Sequence, residues 1–127
     1  MAGHTLINLK QVRDQAVDFG HSPDVEARFA SEDLGAEQTG LSYQRLAPGV
    51  RQPFAHHHGE HEELYVVLSG GGRIKLDGEI VELAPWDAVR VPPEVTRAFE
   101  AGPDGIEIIA FGPRGMKDGT VVSDWWS

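Results

Sequence analysis

Fifteen glycines and eight prolines break this chain of 127 residues into short runs of alternating or β-branched side chains. That punctuation leaves little room for long helices and much for strands and tight turns. The runs predict strands over 25–30, 41–47, 53–58, 62–68, 73–76, 79–83, 88–91, 96–100 and 106–111. Pro48-Gly49, Ser69-Gly70-Gly71-Gly72, Asp77-Gly78, Pro92-Pro93 and Gly102-Pro103-Asp104-Gly105 separate them, each with the fixed or positive φ that a reversal needs. Asp77-Gly78 is the strongest hairpin signal. An all-β sandwich or barrel follows. One short helix is expected near the N-terminus, over 9–17, with Asn8 as its N-cap and Leu9, Val12, Ala16 and Val17 as its apolar face.

Composition bounds the function. The 20 acidic and 11 basic residues leave a formal charge of −9, and 40% of the residues are hydrophobic, enough for one compact domain. No Lys/Arg cluster offsets that charge, so nucleic acid and anionic membranes are not expected partners. The absence of cysteine excludes disulfides, thiolate catalysis and cysteine-ligated metals. No apolar run approaches the ~20 residues of a membrane span. The first residues lack a basic segment followed by a long apolar one, which makes a cytoplasmic location the expectation. The Trp125-Trp126 pair would leave a sizeable apolar patch in water, so both indoles are expected against the body of the protein or a second subunit. A homodimer is expected on the same ground and from the need to cover sheet edges.

The chemistry concentrates in the segment from Phe54 to Gly70, which contains His56-His57-His58-Gly59-Glu60-His61-Glu62-Glu63. Side chains two apart in a strand share a face, so His56 and His58 point together while His57 points away. Glu63 opens the next strand, which is expected to return antiparallel past the histidine pair. Two imidazoles and a carboxylate then converge as a ligand set suited to Fe(II), Mn, Ni or Zn, with coordination positions left open. His57 and His61 are rim residues, with His61 a lesser candidate ligand.

These residues resemble the cupin superfamily, whose first motif is G-x5-H-x-H-x3,4-E-x6-G. Gly49, His56, His58, Glu63 and Gly70 occupy its positions, with six residues instead of five between Gly49 and His56. The resemblance covers about 39–112 and implies a double-stranded β-helix, the jelly-roll barrel, flanked by an N-terminal arm over 1–24 and a tail over 113–127. The second motif, G-x5-P-x-G-x2-H-x3-N, falls on Trp86, Pro92, Glu94, Arg97 and Ala101, so only its proline survives. Arg97 stands where the family places a third histidine ligand, and a guanidinium cannot coordinate a cation. A metal beside it would make a positive cavity, in which Arg97 can hold a carboxylate or enolate of a small-molecule ligand. The family's metal chemistry would then be of the oxygenase or isomerase kind, with Tyr65 as candidate proton donor. Whether the chain is an enzyme is left open. The competing reading is a metal-free binding or sensory barrel in which Glu63 and Arg97 form an ion pair without catalysis.

Tyr65 shares the face of Glu63, and Phe99 that of Arg97, so both can line the cavity or fill the barrel. Tyr43 and Arg45 alternate on one face that contacts either ligand or surface. Trp86 is expected to cover one end of the barrel. Gly70-Gly71-Gly72 lacks the Lys-Ser/Thr of a phosphate loop and reads as a hairpin turn. No serine sits in a nucleophile elbow, and Glu79 and Glu82 face opposite ways on a short strand, which disfavours hydrolase and glycosidase chemistry.

Overall fold

The computed structural model describes residues 3–115 and 118–126. Among them are eight strands: β1 (Val25–Phe29), β2 (Thr39–Leu46), β3 (Ala55–His57), β4 (Glu63–Leu76), β5 (Glu79–Leu83), β6 (Ala88–Val91), β7 (Arg97–Pro113) and β8 (Thr120–Val122). The architecture is the predicted jelly roll. It differs from the sequence reading in how two strands cross the whole barrel.

The Ser69–Gly72 and Gly102–Gly105 clusters are not turns. Both lie inside continuous strands, the 14-residue β4 and the 17-residue β7, at a bulge where Gly71 faces residues 102–105. These two strands pair along nearly their full length, from Leu64↔Phe111 to Leu76↔Arg97, with register shifts at Val67/Ser69 and Gly70/Gly72. The glycines serve close approach: a Cβ on Gly70 would lie 2.0 Å from the Gly105 carbonyl oxygen, and one on Gly72 would lie 2.1 Å from that of Glu100. Extra residues at such shifts bend a strand and sharpen its twist, so β4 and β7 can each contribute to two layers.

One layer runs β1, β2, the second half of β7, the first half of β4, and β6. The other runs β8, β3, the first half of β7, the second half of β4, and β5. Val67, Ile106 and Ile108 from the first layer join Ile74 and Phe99 from the second in one buried cluster. Each such side chain contributes about 1.5–3 kcal/mol of hydrophobic burial. Asp77-Gly78 is the expected two-residue reversal between β4 and β5, with Asp77 taking the positive φ of 52°.

The predicted helix over 9–17 is replaced by a single 3-10 turn, Leu9–Gln11, capped as expected by the Asn8 side chain on the Lys10 amide. Beyond it the chain bridges β1 at Asp14↔Arg28 and then passes through consecutive turns over 15–20. Asp14 Oδ1 accepts from the amides of Ala16 and Ala27, and the Gln15 amide donates to the Ala27 carbonyl. Those bonds satisfy the free edge of β1, which an isolated helix would have left open. Val12 and Ala16 are buried as the apolar spacing required. A four-residue helix, α1 (Ser31–Leu34), was not predicted; its Ser31 hydroxyl accepts from the Leu41 amide.

Trp125 and Trp126 lie on the barrel itself. Lys75 Nζ sits 4.7 Å from the Trp125 ring centroid, and the Arg51 guanidinium carbon sits 5.1 Å from that of Trp126. Trp86 does not cover a barrel end: it is 78% exposed, in a turn where its φ is 73°. Tyr43 is buried and donates its hydroxyl hydrogen to Glu107, while Arg45 pairs with Glu26, so neither faces a ligand site. No helix among the described residues is long and apolar enough to cross a membrane.

Candidate metal centre

His56 is set on β3 by pairing with Arg97 of β7 on one side and Val121 of β8 on the other. His58 follows the strand end, where its amide donates to the Pro93 carbonyl at 2.7 Å. Glu63 opens β4 and pairs with Val91 of β6. The histidine strand and the Glu63 strand therefore do not run side by side, contrary to the sequence expectation. They belong to opposite layers, and their side chains meet across the barrel interior.

The convergence itself holds. His56, His58 and Glu63 bring their ligand atoms within 4.8 Å of one another. Both Nε2 atoms lie 3.1 Å from the same oxygen, Glu63 Oε1. Two ligands at right angles on an ion with bonds of about 2.1 Å sit about 3.0 Å apart, so these donors are spaced as neighbours around one ion. His57 is turned away, with Nδ1 3.3 Å from the Thr96 hydroxyl, and His61 is exposed beside Glu60.

Asp118, in the segment leading to β8, was missed by the sequence reading. Its Oδ1 accepts from His58 Nδ1 at 3.0 Å, and its Oδ2 accepts from the amides of Gly59 and Glu60 at 2.8 and 2.7 Å. A proton on Nδ1 leaves the Nε2 lone pair facing the cluster, the arrangement by which an outer carboxylate orients a histidine ligand. The Glu60 amide is the main influence on the Asp118 carboxyl; with the Gly59 amide and His58, and against desolvation, it holds the group at about 2. No local spacing signals this residue, which lies 60 positions from His58 in the chain.

Tyr65 donates its hydroxyl hydrogen to Glu63 Oε1 at 2.6 Å. Burial, and then the Glu63 charge, push its phenol well above the usual range, so it remains a donor. For Glu63, burial acts upward, but hydrogen bonds from His56 and Tyr65 and the nearby imidazoles outweigh it and hold the carboxyl at about 2. Phe99 packs edge-on against Tyr65, with ring centroids 5.1 Å apart.

Arg97 is 1% exposed. Its Nη2 lies 3.3 Å from the Pro92 carbonyl oxygen and 4.0 Å from Glu63 Oε1, a loose ion pair. Its Nε and Nη1 have no hydrogen-bond partner among the described residues. A cavity of about 390 Å³ opens from the three-residue cluster; His56, His58, Glu63 and Tyr65 line it, whereas Arg97 and Phe99 stand behind that lining.

The donor set fits a divalent ion: two imidazoles and a carboxylate, partly buried and adjoining a cavity. Bound there, such an ion supplies Lewis acidity to an oxygen of a ligand.

The family model described as "Cupin domain" matches residues 42–108. No curated protein matches the sequence. Among solved structures, a cupin protein from Bacteroides fragilis is similar over 98% of this chain and 96% of its own, at 26% identity and a TM-score of 0.72. The polyketide cyclase RemF from Streptomyces resistomycificus is similar over 97% of this chain and 87% of its own, at 21% identity and a TM-score of 0.76. A variant of oxalate decarboxylase from Bacillus subtilis is similar over 87% of this chain and 30% of its own, at 19% identity and a TM-score of 0.70.

Proposed function

The chain belongs to the cupin domain family, and on that premise we propose that it holds a divalent ion (Fe, Mn, Ni or Zn) through His56, His58 and Glu63 and presents it to a small molecule in the adjoining cavity. The observation that carries this reading is the pair of 3.1 Å separations from one Glu63 oxygen to two Nε2 atoms. The Asp118 contact, which turns His58 the right way, adds to it.

Charge counting defines what the ion would accept. Glu63 and Asp118 bring two negative charges near the cluster and Arg97 brings one positive. A divalent ion therefore leaves one positive charge uncompensated. At a distance of a few ångströms and an effective dielectric of about 20, each unit of imbalance is worth a few kcal/mol. A ligand carrying one anionic oxygen, a carboxylate or an enolate, balances the site. Arg97 acts from behind Glu63 by its field, with Tyr65 the nearest proton-bearing group for any metal-dependent oxygenase or isomerase reaction.

A second reading has its own support. Glu63 Oε1 already receives Tyr65 and both histidines, so a metal-free barrel with a loose Glu63–Arg97 pair would keep the carboxylate bonded, although it leaves Arg97 Nε and Nη1 without partners among the described residues. Metal content separates the two. Protein purified without an affinity tag should carry close to one divalent ion per chain, and His56→Ala should lose it. Equal, near-zero content in both proteins would favour the metal-free barrel.

A further inference from the structure

The walls of the cavity indicate what kind of molecule it takes. Outside the three-residue cluster, no Asp, Glu, Lys or Arg lines it among the described residues. Its outer wall is instead aromatic. Phe19, Phe29 and Phe54 all border it and remain 71%, 48% and 46% exposed, a large apolar surface to leave in water around one opening. A volume of about 390 Å³ lies at the lower end of the range for drug-sized ligands.

The wall amides have a defined polarity. Phe99 donates its backbone N–H to Gln52 Oε1 at 2.8 Å, which fixes the Gln52 amide with its nitrogen outward. Gln52 Nε2 then donates to Gln44 Oε1 at 3.1 Å. Gln44 is thereby left with its NH2 on the free side, where one hydrogen reaches the Ser42 hydroxyl at 3.4 Å. The second hydrogen has no acceptor among the described residues, and Gln44 lines the cavity. Because the relay starts from a backbone donor, which cannot be reversed, the wall offers a hydrogen to its ligand at this point.

We infer that the cavity takes a planar, largely apolar aromatic molecule that carries its single negative charge on the oxygen donors at the metal end. The body of the molecule stacks among Phe19, Phe29 and Phe54, and an acceptor on its edge meets Gln44. A polyanion is disfavoured, since the wall holds no Lys or Arg to compensate its second charge and, besides the cluster, a single imidazole, His21. The inference rests on the metal-centre reading and extends it to ligand class.

The test uses zinc-loaded full-length protein, freed of excess zinc, with calorimetric titration of three probes. 1-Hydroxy-2-acetonaphthone and acetylacetone chelate through similar hydroxy-ketone oxygens, but only the first has fused rings; malate is an aliphatic dianion. The naphthone should bind at least about tenfold more tightly than acetylacetone, with malate the weakest, as expected for burying ring surface. Phe29→Ala should cut the naphthone advantage severalfold while leaving the acetylacetone affinity within about twofold. Equal affinities for naphthone and acetylacetone, tightest binding by malate, or an undiminished advantage in Phe29→Ala would each overturn the inference. Failure of the wild-type protein to take up zinc in the loading titration would overturn the metal reading on which it stands, a result visible before any probe is added.

Discussion

One atom, Glu63 Oε1, concentrates the chemistry of this barrel. It meets two imidazole nitrogens, a phenol and, more loosely, a guanidinium within 4.0 Å. The groups around it divide into those that touch a bound ion and those that aim them, and Asp118 belongs to the second kind. Removing an outer carboxylate of this sort costs about 10–100-fold in metal affinity. Asp118→Ala should therefore weaken zinc binding by about that factor, measured by competition with a chelator, while circular dichroism still shows a folded β protein. Wild-type affinity in that folded variant would mean that the Asp118 contact does not orient the His58 ring for binding. Arg97 has a different part. A histidine there would be a ligand candidate, whereas the guanidinium, buried behind Glu63, acts through its charge and cannot coordinate.

At the scale of elements, the barrel depends on two strands long enough to serve both layers, and these depend on glycines that let their backbones nearly touch. Gly72→Ala would drive a methyl to 2.1 Å from the Glu100 carbonyl oxygen, whereas a Cβ on Gly78 meets nothing within 4 Å. Gly72→Ala should cost more than about 3 kcal/mol, or prevent folding, because backbone rather than a flexible side chain must yield. Gly78→Ala should stay within about 1 kcal/mol, as read by denaturant unfolding. Equal stability of the two variants would contradict the tight crossing. The contrast also marks what could be read from sequence. Strand alternation placed His56 and His58 on one face, and Asp77-Gly78 announced its own hairpin, because both are local rules. The glycines at 70–72 and 102–105 were misread as turns because glycine permits a reversal and a close approach equally, and only the partner strand decides. The expected helix over 9–17 failed for a related reason: Asp14 had a better use for its side chain on the edge of β1. Asp118 depends on a tail that folds back over β3, which no spacing in the chain announces.

For the whole molecule, acidity acts in two opposed ways. A formal charge of −9 at pH 7 repels itself in the compact state, and that repulsion fades as the pH falls toward the isoelectric point near 5.0. Below that, the carboxylates that folding has paired begin to decide. Glu26 is the clearest case outside the metal centre. Burial acts to raise its carboxyl, but Lys10, Arg28 and Arg45 outweigh it and hold the group at about 2, against an ordinary value of 4.5. Glu100 between Arg51 and Arg73, and Glu107 bonded by Ser69 and Tyr43, are lowered as well. The unfolded chain takes up these protons near its ordinary values while the folded chain resists, so the stability they supply is complete above about pH 4.5 and is lost as pH falls toward 2. Thermal melting of the metal-free protein should accordingly show a midpoint that is level or rising from pH 7 to about 5, then falling steeply below about 4.5. Glu26→Gln should melt lower than the wild type at pH 7 and should show a shallower acid limb, since one of the groups that must be protonated is gone. A midpoint that stayed constant down to pH 3 would mean that these pairs contribute nothing net and that hydrophobic burial between the two layers holds the barrel alone.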